Sequence, residues 1–264
     1  MTLISRTFVR LIAWAALIYL MLPLAVIIGA SLTTTSYLAF PPQGITLEWY
    51  RRLVDDPTYV ASFATSTALA LAATAAAIAL AVPAALAFAR YSFPGKATLS
   101  AVLMSPLVLP HIVLGAALLQ FGAYFGLTRS FLALLIGHTV IITPFVLRSV
   151  MALMTPEQRS LEEASADLGG GPFATFFLVV LPQIRPGIVT GAIFAFISSW
   201  INVELSIFNT TAQLNTIPVK LFNYVQYTID PTIAAVSAAT ILAAVIAIVI
   251  LDLTVGLDML SDPK

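Results

Sequence analysis

The chain has 264 residues, of which 60% are hydrophobic and only 9% are charged, and its mean hydropathy is +1.00. An ordinary soluble domain is about 25% charged, so a water-soluble globule is excluded. Twelve basic residues balance twelve acidic ones, which removes the electrostatic basis for nucleic-acid binding. The chain has no cysteine, which excludes disulfides, thiolate metal sites and cysteine nucleophiles. The length suits a single membrane domain over residues 1–264.

Long charge-poor stretches predict an all-α polytopic membrane protein. A bilayer core of about 30 Å needs about 20 mainly apolar residues in helical form, and the charges are spaced so as to permit this repeatedly. We predict six transmembrane helices, at residues 10–30, 60–88, 98–122, 131–150, 187–208 and 232–251. An even number of spans puts both termini on the same side of the membrane.

Lysine and arginine near the span ends predict the orientation, because cytoplasmic loops retain positive charge. Cytoplasmic termini place eight basic residues inside and four outside. The inside set is Arg6, Arg10, Arg90, Lys96, Arg148, Arg159, Arg185 and Lys264, and the outside set is Arg51, Arg52, Arg129 and Lys220. We therefore predict that both termini are cytoplasmic. A cleaved secretory signal at residues 1–30 is the weaker alternative, since the apolar run is longer than a usual signal core.

The loop at residues 151–186 is the longest predicted cytoplasmic connection, and it has structure of its own. Thr155 and Gln158 flank Pro156 in a helix-start pattern, with a capping hydroxyl and proline at the first helical position. The run 169–172, Gly-Gly-Gly-Pro, ends the helix, because glycine accepts the left-handed conformation and proline cannot continue it. These signals predict a helix of about thirteen residues outside the membrane. Such a helix is marginal alone in water, so we expect a packing partner; an ordinary surface hairpin is the alternative.

The same loop resembles the Glu-Ala-Ala loop of inner-membrane permease subunits of binding-protein-dependent ABC importers. Glu163-Ala164-Ser165 is followed after three residues by Gly169, and after nine more by Val179-Val180-Leu181-Pro182. Two positions depart mildly from the family pattern, Ser165 for alanine and Val179 for isoleucine. The resemblance extends across the six spans. Three phrases look most like the spermidine/putrescine-type permeases: Leu168-Gly169, Leu181-Pro182 and Pro186-Gly187-Ile188.

The resemblance implies a coupling helix that docks in a groove of a separate ATP-hydrolysing subunit. The residues that it assigns to this coupling are Glu162, Glu163, Ala164, Ser165, Asp167, Leu168 and Gly169. It also implies the partners of such importers in the bilayer of the bacterial inner membrane: a dimer of ABC ATPases, a periplasmic solute-binding protein and a second permease subunit, which we expect to be a different chain.

The chain itself carries no phosphate-binding loop. Its one Gly-Lys pair, Gly95-Lys96, has Arg90 where the first glycine of that motif belongs. We therefore predict that the chain is not an enzyme, that it holds no cofactor or metal, and that a partner hydrolyses the ATP.

Polar side chains near the end of the fifth predicted span are the candidates for a substrate path. A charged side chain at the centre of a span costs on the order of 2.5 to 3.5 kcal/mol, so each needs a partner or a cavity. The predicted path residues are Ser199, Trp200, Asn202 and Glu204. Glu204 either faces a water-filled path and contacts a polar or cationic solute, or lies hydrated at the outer interface.

Prolines and histidines mark the third and fourth spans. Pro106, Pro110 and Pro144 bend or break helices, which suits either the wall of a passage or a kink packed inside the bundle. For His111 and His138, a hydrogen bond to a neighbouring span is favoured over a proton relay.

The end of the fifth predicted span is compatible with more than one chemical class of solute. Spermidine/putrescine-type permeases often carry an acidic pair in the fifth span, and only Glu204 stands in the corresponding stretch here. A polyamine is one candidate, and amino-acid-like compounds, quaternary amines and phosphonates are others.

The leading prediction is a permease subunit of an ATP-driven ABC importer that moves a small polar organic solute. The alternative is a secondary transporter or channel that works without ATP, which would need ion or proton sites at membrane depth and no docking loop. An intramembrane enzyme is disfavoured, because the sequence has no H-E-x-x-H, no G-x-S-x-G and no acid pair at metal-ligand spacing.

Overall fold

The computed structural model describes residues 3–255, with side chains from residue 8 to residue 246. Within these residues the chain consists of helices and their connections, without strands, which confirms the all-α prediction. A 3₁₀ turn, Ser105–Leu107, follows the fourth helix, and a π-helical turn, Phe176–Val180, precedes the ninth. The α-helices in chain order are α1 (Leu3–Ser31), α2 (Glu48–Asp55), α3 (Pro57–Arg90), α4 (Lys96–Met104), α5 (His111–Tyr124), α6 (Phe131–Met151), α7 (Pro156–Asp167), α8 (Pro172–Thr175), α9 (Leu181–Trp200), α10 (Ile217–Val225) and α11 (Pro231–Val255).

Four helical segments in the described part of the chain are long and apolar enough to cross a membrane. They are Phe8–Ser31, Pro57–Arg90, Phe131–Met151 and Pro172–Trp200. A fifth arises if the bent pair Lys96–Leu107 and His111–Tyr124 is counted as one span, and Pro231–Ile246 is a shorter apolar helix. The count of six therefore stays a prediction. Arg6 and Lys264, which entered the orientation argument, lie outside the residues whose side chains are described.

The predicted third span, residues 98–122, is not one continuous helix. The chain bends by 105° between its two helical halves. Pro110 lies at the break with φ −59° and ψ 124°, and α5 begins at the next residue. Proline donates no backbone hydrogen bond and disfavours helical geometry in the residue before it, which explains a break at this point.

Residues 61–220 form one compact unit, whose core lies among α3, α6 and α9. Close approach of α9 to α6 depends on two glycines one helical turn apart. A Cβ added at Gly187 would lie 2.7 Å from the Ser149 carbonyl oxygen, and one added at Gly191 would lie 2.7 Å from Val146 Cα. Small residues at such spacing let two helix backbones meet, which is a common way to pack helices in membranes.

The described residues up to 60 and from 221 onward form a second compact unit, in which α11 packs against α1 and α2. Trp49 of α2 is buried, and its indole N–H donates to the Thr33 carbonyl at 2.8 Å. The Arg52 guanidinium lies 4.6 Å from the centre of the Trp49 ring, a cation–π contact within α2. The single permease domain predicted for residues 1–264 stays a prediction.

Candidate functional site

Helix α7 begins and ends where the sequence signals predicted. The backbone N–H of Gln158 donates to Thr155 Oγ1 at 3.5 Å, and Pro156 occupies the first helical position. Glu157 in the first turn is fully exposed; a hydrogen bond from its own backbone N–H and a second from Thr155 hold its carboxyl pKa below the usual value. A carboxylate here also complements the positive end of the helix dipole. The predicted start of the helix at Pro156 is confirmed.

The end of α7 is a glycine-dependent cap. Gly169 has φ +86°, and its N–H donates to the Ala166 carbonyl at 2.9 Å. The N–H of Gly170 donates to the Ser165 carbonyl at 2.8 Å. This pair of bonds is the Schellman arrangement, which satisfies carbonyls that the helix leaves open. The cap fixes the length of α7, and with it the residues that the helix presents.

One face of α7 is anchored on other helices of the unit formed by residues 61–220. Gln158 is buried, at 3% exposure. Glu162 Oε2 lies 2.8 Å from Arg90 Nη2 at the end of α3, and the two side chains are 18% and 31% exposed. Ser165 Oγ lies 2.9 Å from Thr175 Oγ1 in α8. Two of the seven predicted coupling residues, Glu162 and Ser165, therefore make side-chain contacts with other helices of the chain.

The opposite face of α7 is open to solvent. Glu163 is 67% exposed, and its ion-pair partner among the described residues is Arg159, one turn away in the same helix, at 3.3 Å. Leu168 is 90% exposed, and Ala164 and Asp167 are exposed beside it. An exposed leucine next to small and acidic residues on a capped helix is a surface that another protein can cover, in the manner of a helix in a groove.

The predicted substrate-path residues lie at the end of α9, where the helix stops earlier than predicted. The predicted span reaches residue 208, but α9 ends at Trp200 and residues 201–209 form a series of turns. Asn202 Oδ1 accepts a hydrogen bond from the Leu205 N–H at 2.9 Å. An asparagine that bonds to nearby backbone offers an alternative to the helical ladder, which accounts for the early end.

Ser199 belongs to a buried polar cluster with His138, Ser206 and Asn202, and the half-buried His111 joins it through Asn202. His138 Nδ1 lies 2.7 Å from Ser199 Oγ, and its Nε2 lies 2.9 Å from Ser206 Oγ. Asn202 Nδ2 lies 3.3 Å from His111 Nδ1. Both histidines thus make the hydrogen bonds to neighbouring segments that the sequence favoured. Inside an apolar bundle these bonds satisfy groups whose burial would otherwise be costly.

Asn209 connects the turns after α9 to α5 through hydrogen bonds of its side chain. Its Nδ2 donates to the Gly115 carbonyl at 3.0 Å and to the Leu205 carbonyl at 3.2 Å. A Cβ added at Gly115 would lie 2.8 Å from that Leu205 carbonyl, so only glycine permits the approach. The turns after α9 are consequently fixed in place.

The other two path residues point differently. The Trp200 indole N–H lies 3.2 Å from Thr67 Oγ1, and its ring packs 5.9 Å from that of Phe63. Glu204 is exposed, and of the four predicted path residues it is the one with a carboxylate side chain. The cluster therefore has an internal, hydrogen-bonded side formed by Ser199 and Asn202, and an open side at Glu204.

Sequence reasoning missed three sets of residues. Arg90 entered it through its charge and in the test for a phosphate-binding loop, but not as a partner of Glu162. Ser206 and Asn209 did not enter it. Gly187 entered only as part of a family phrase, and Gly191 did not enter it. The glycine spacing was readable as a packing signal. The partnership of Arg90 with Glu162 had no local signal, because the two residues are far apart in the chain.

A family model described as the binding-protein-dependent transport system inner membrane component matches residues 77–258. The chain belongs to this family. It is therefore an inner-membrane permease subunit of an ABC importer, which confirms the leading prediction. The match includes α7 and the turns after α9, so both parts of the candidate site lie in the permease region.

Relatives of this permease cover most of its length. The spermidine/putrescine transport system permease protein PotC of Haemophilus influenzae is 25% identical over 250 residues, which are 94% of this chain and 97% of the relative. The putrescine transport system permease protein PotI of Escherichia coli is 27% identical over 209 residues, which are 76% of this chain and 74% of the relative. The molybdenum transport system permease protein ModB of Escherichia coli is 31% identical over 153 residues, or 52% and 67%.

Solved structures share the fold. A bacterial ABC transporter involved in the import of the acidic polysaccharide alginate superposes with a TM-score of 0.70 at 16% identity, over 96% of this permease and 98% of that chain. An amino acid ABC transporter, solved with histidines, gives a TM-score of 0.58 at 17% identity, over 79% of this permease and 98% of that chain. These likenesses place the permease in the ABC-importer fold.

Proposed function

We propose that this permease moves a small polar organic solute into the cell, driven by a dimer of ABC ATPases that binds the exposed face of α7. A second permease subunit completes the membrane path, and a periplasmic solute-binding protein delivers the solute. The permease hydrolyses no ATP itself. Both termini and the 151–186 loop face the cytoplasm, in agreement with the bias of lysine and arginine among the loops.

One observation carries the proposal: α7 is a capped, polar helix with one anchored face and one open face. The open face offers Glu163, Ala164 and Leu168 to a groove, with a small residue at its centre and charge at its rim. Packed surfaces move as rigid bodies, so an ATPase that closes on α7 would carry the helix with it. Of the remaining predicted coupling residues, Asp167 is exposed beside Leu168, Gly169 caps the helix, and Glu162 and Ser165 hold it to the permease.

Polyamines are the first candidates for the solute. The relatives PotC and PotI are named for spermidine and putrescine transport, and Glu204 presents a carboxylate at the open side of the polar cluster. A carboxylate at such a position attracts cations. We propose that Glu204 and Trp200 contact the solute, and that Ser199 and Asn202 shape the path through their internal hydrogen bonds.

Glu163→Lys tests the docking of the ATPase. Reversing the charge on the open face puts a cation where the groove receives an anion, and like-charge contacts of this kind cost several kcal/mol. We expect uptake to fall by at least about tenfold, which corresponds to only about 1.4 kcal/mol, and the ATPase to be lost when the permease is purified from membranes. The amount of permease in the membrane should stay at the parental level.

Glu48→Lys is the matched control, since it reverses the acidic member of a similarly exposed Arg–Glu pair, Arg52–Glu48, on α2. This variant should retain the ATPase and its uptake. Uptake that persists in Glu163→Lys membranes, or in parental membranes stripped of the ATPase, would refute the proposed function.

A further inference from the structure

The anchored face of α7 is joined to span α3 by an ion pair between distant parts of the sequence. Arg90 is the last residue of α3, and its Nη2 lies 2.8 Å from Oε2 of Glu162 in the middle of α7. By contrast, the ion pair of Arg159 and Glu163 lies within a single turn of α7 and links α7 to no second helix in the described part of the chain. The Arg90–Glu162 pair is thus placed to pass a displacement of the loop helix to a membrane span.

The environment of this pair makes it more than a surface contact. The side chains of Arg90 and Glu162 are 31% and 18% exposed, against 68% and 67% for Arg159 and Glu163. Partial burial reduces the screening that makes exposed ion pairs weak. Gln158, one turn earlier on the same face, is buried and lines a cleft with Arg90 and Glu162. The face that carries Glu162 is therefore seated on the end of α3.

The two faces of α7 separate two tasks. Residues on the open face are free to meet the ATPase, whereas Glu162 is turned towards α3 and is not available to it. If α7 moves with the ATPase, the chain needs a link that converts this motion into motion of a span. A partly buried, charge-assisted hydrogen bond resists both pulling and sliding better than apolar contact alone, because its geometry is directional.

We propose that the Arg90–Glu162 pair is a tether that transmits the movement of α7 to α3, so that its loss uncouples ATP hydrolysis from transport without releasing the ATPase. The proposal rests on the proposed function, since it takes the ATPase to bind the open face of α7. Arg90 and Glu162 are positioning residues: they touch neither ATP nor solute.

Neutral variants of each partner test the tether in the complete importer. Arg90→Gln and Glu162→Gln should each retain the ATPase at parental stoichiometry and hydrolyse ATP, while the solute moved per ATP hydrolysed falls by about tenfold. The charge swap R90E/E162R should recover a substantial part of that ratio, because it rebuilds the pair in reverse. Arg159→Gln, which breaks the exposed pair on the same helix, should keep the parental ratio.

Each outcome separates the tether from the docking surface. A parental ratio in both neutral variants, or a charge swap no better than either single change, overturns the tether and leaves ATPase docking intact. Loss of the ATPase from Glu162→Gln but not from Arg90→Gln also overturns it, because Glu162 would then contact the ATPase. Failure of the parental permease to bind an ATPase at all is a failure of the proposed function instead.

A covalent tether gives a second test that does not depend on charge. The chain has no cysteine, so R90C/E162C introduces the two thiols of the permease. We expect this variant to be uncoupled before treatment, and a flexible bifunctional thiol reagent to raise the solute moved per ATP. A cross-link that forms without raising this ratio contradicts the tether, even where one of the neutral variants is too unstable to purify.

Discussion

At the scale of single residues, neighbouring side chains of α7 have opposite surroundings. Glu162 and Glu163 are adjacent in sequence, yet one is paired with Arg90 and largely covered while the other is 67% exposed. Adjacent residues on a helix point about 100° apart, so a motif that spans both necessarily covers two faces. The family pattern identifies the segment, and the fold decides which carboxylate is available to a partner.

Glycine is needed at position 169 because of the backbone conformation there, and not because a side chain would lack room. Its φ is +86°, and nothing lies within 4 Å of a Cβ added there. Left-handed geometry costs a side-chain-bearing residue roughly 1–2 kcal/mol, and a β-branched residue is worst suited to it. We expect Gly169→Val to loosen the end of α7, so that uptake and ATPase binding fall together by about tenfold or more.

Gly171→Ala is the control for Gly169→Val. Gly171 also has open space around it, but its φ of −71° suits any residue, so this change should leave uptake and ATPase retention unaltered. Uptake by membranes and co-purification of the ATPase measure both variants. Equal activity in the two would show that the cap does not set the docking surface.

At the scale of helices, the packing of α9 on α6 depends on the absence of side chains. Gly187, Gly191 and Ala195 recur every four residues along α9 and are all buried. A Cβ at Gly191 would approach Val146 Cα to 2.7 Å, a distance that no rotamer change relieves because the obstacle is backbone. The two helices must separate to accept a larger residue there.

We expect Gly191→Val to destabilise the permease by about 1–3 kcal/mol, the usual range for overpacking a close contact. Thermal unfolding of the purified permease in detergent should show a lower midpoint than that of the parent. Ala192→Val adds bulk at the next position, which is only partly buried, and should shift the midpoint much less. A Gly191→Val protein as stable as the parent would mean that α6 and α9 do not meet as closely as described.

Helix interruptions form the second element-scale feature, and they differ in cause. The break before α5 lies at Pro110, which donates no backbone hydrogen bond and disfavours helical geometry in the residue before it. The end of α9 at Trp200 depends on Asn202 and on Asn209, whose side chain bonds to the Gly115 carbonyl across from it. The first interruption is local in origin, and the second requires a neighbouring helix.

At the scale of the whole molecule, the energy source distinguishes an ABC importer from the alternative secondary transporter or channel. A secondary transporter needs charged groups at membrane depth to bind the driving ion. In the part of the chain that the structure describes, the buried groups of the polar cluster are histidine, serine and asparagine, bonded to one another. This composition suits a scaffold more than an ion site.

We therefore expect spermidine uptake by the complete importer, reconstituted in vesicles with its solute-binding protein, to require ATP on the side of the ATPases. Ionophores that collapse the proton and sodium gradients should change the initial rate by less than about twofold, since neither gradient supplies the free energy. Uptake that an ion gradient drives without ATP would instead support the alternative, a secondary transporter. Spermidine that is neither taken up nor bound by the solute-binding protein would remove polyamines as the solute, and the same assay can then be run with amino-acid-like compounds, quaternary amines and phosphonates.

Beyond the family that the loop motif resembles, the sequence by itself determined the fold class and the loop helix with both of its ends. Each of these rests on local information: apolar runs of bilayer length, a capping hydroxyl with a following proline, and glycines that accept left-handed geometry. Only the tertiary structure decided that Glu162 pairs with Arg90, that Ser199 and Asn202 are held in internal hydrogen bonds, and that α9 stops at Trp200. These outcomes depend on groups brought together from distant parts of the chain, and residue spacing along one helix does not identify which distant side chain pairs with it.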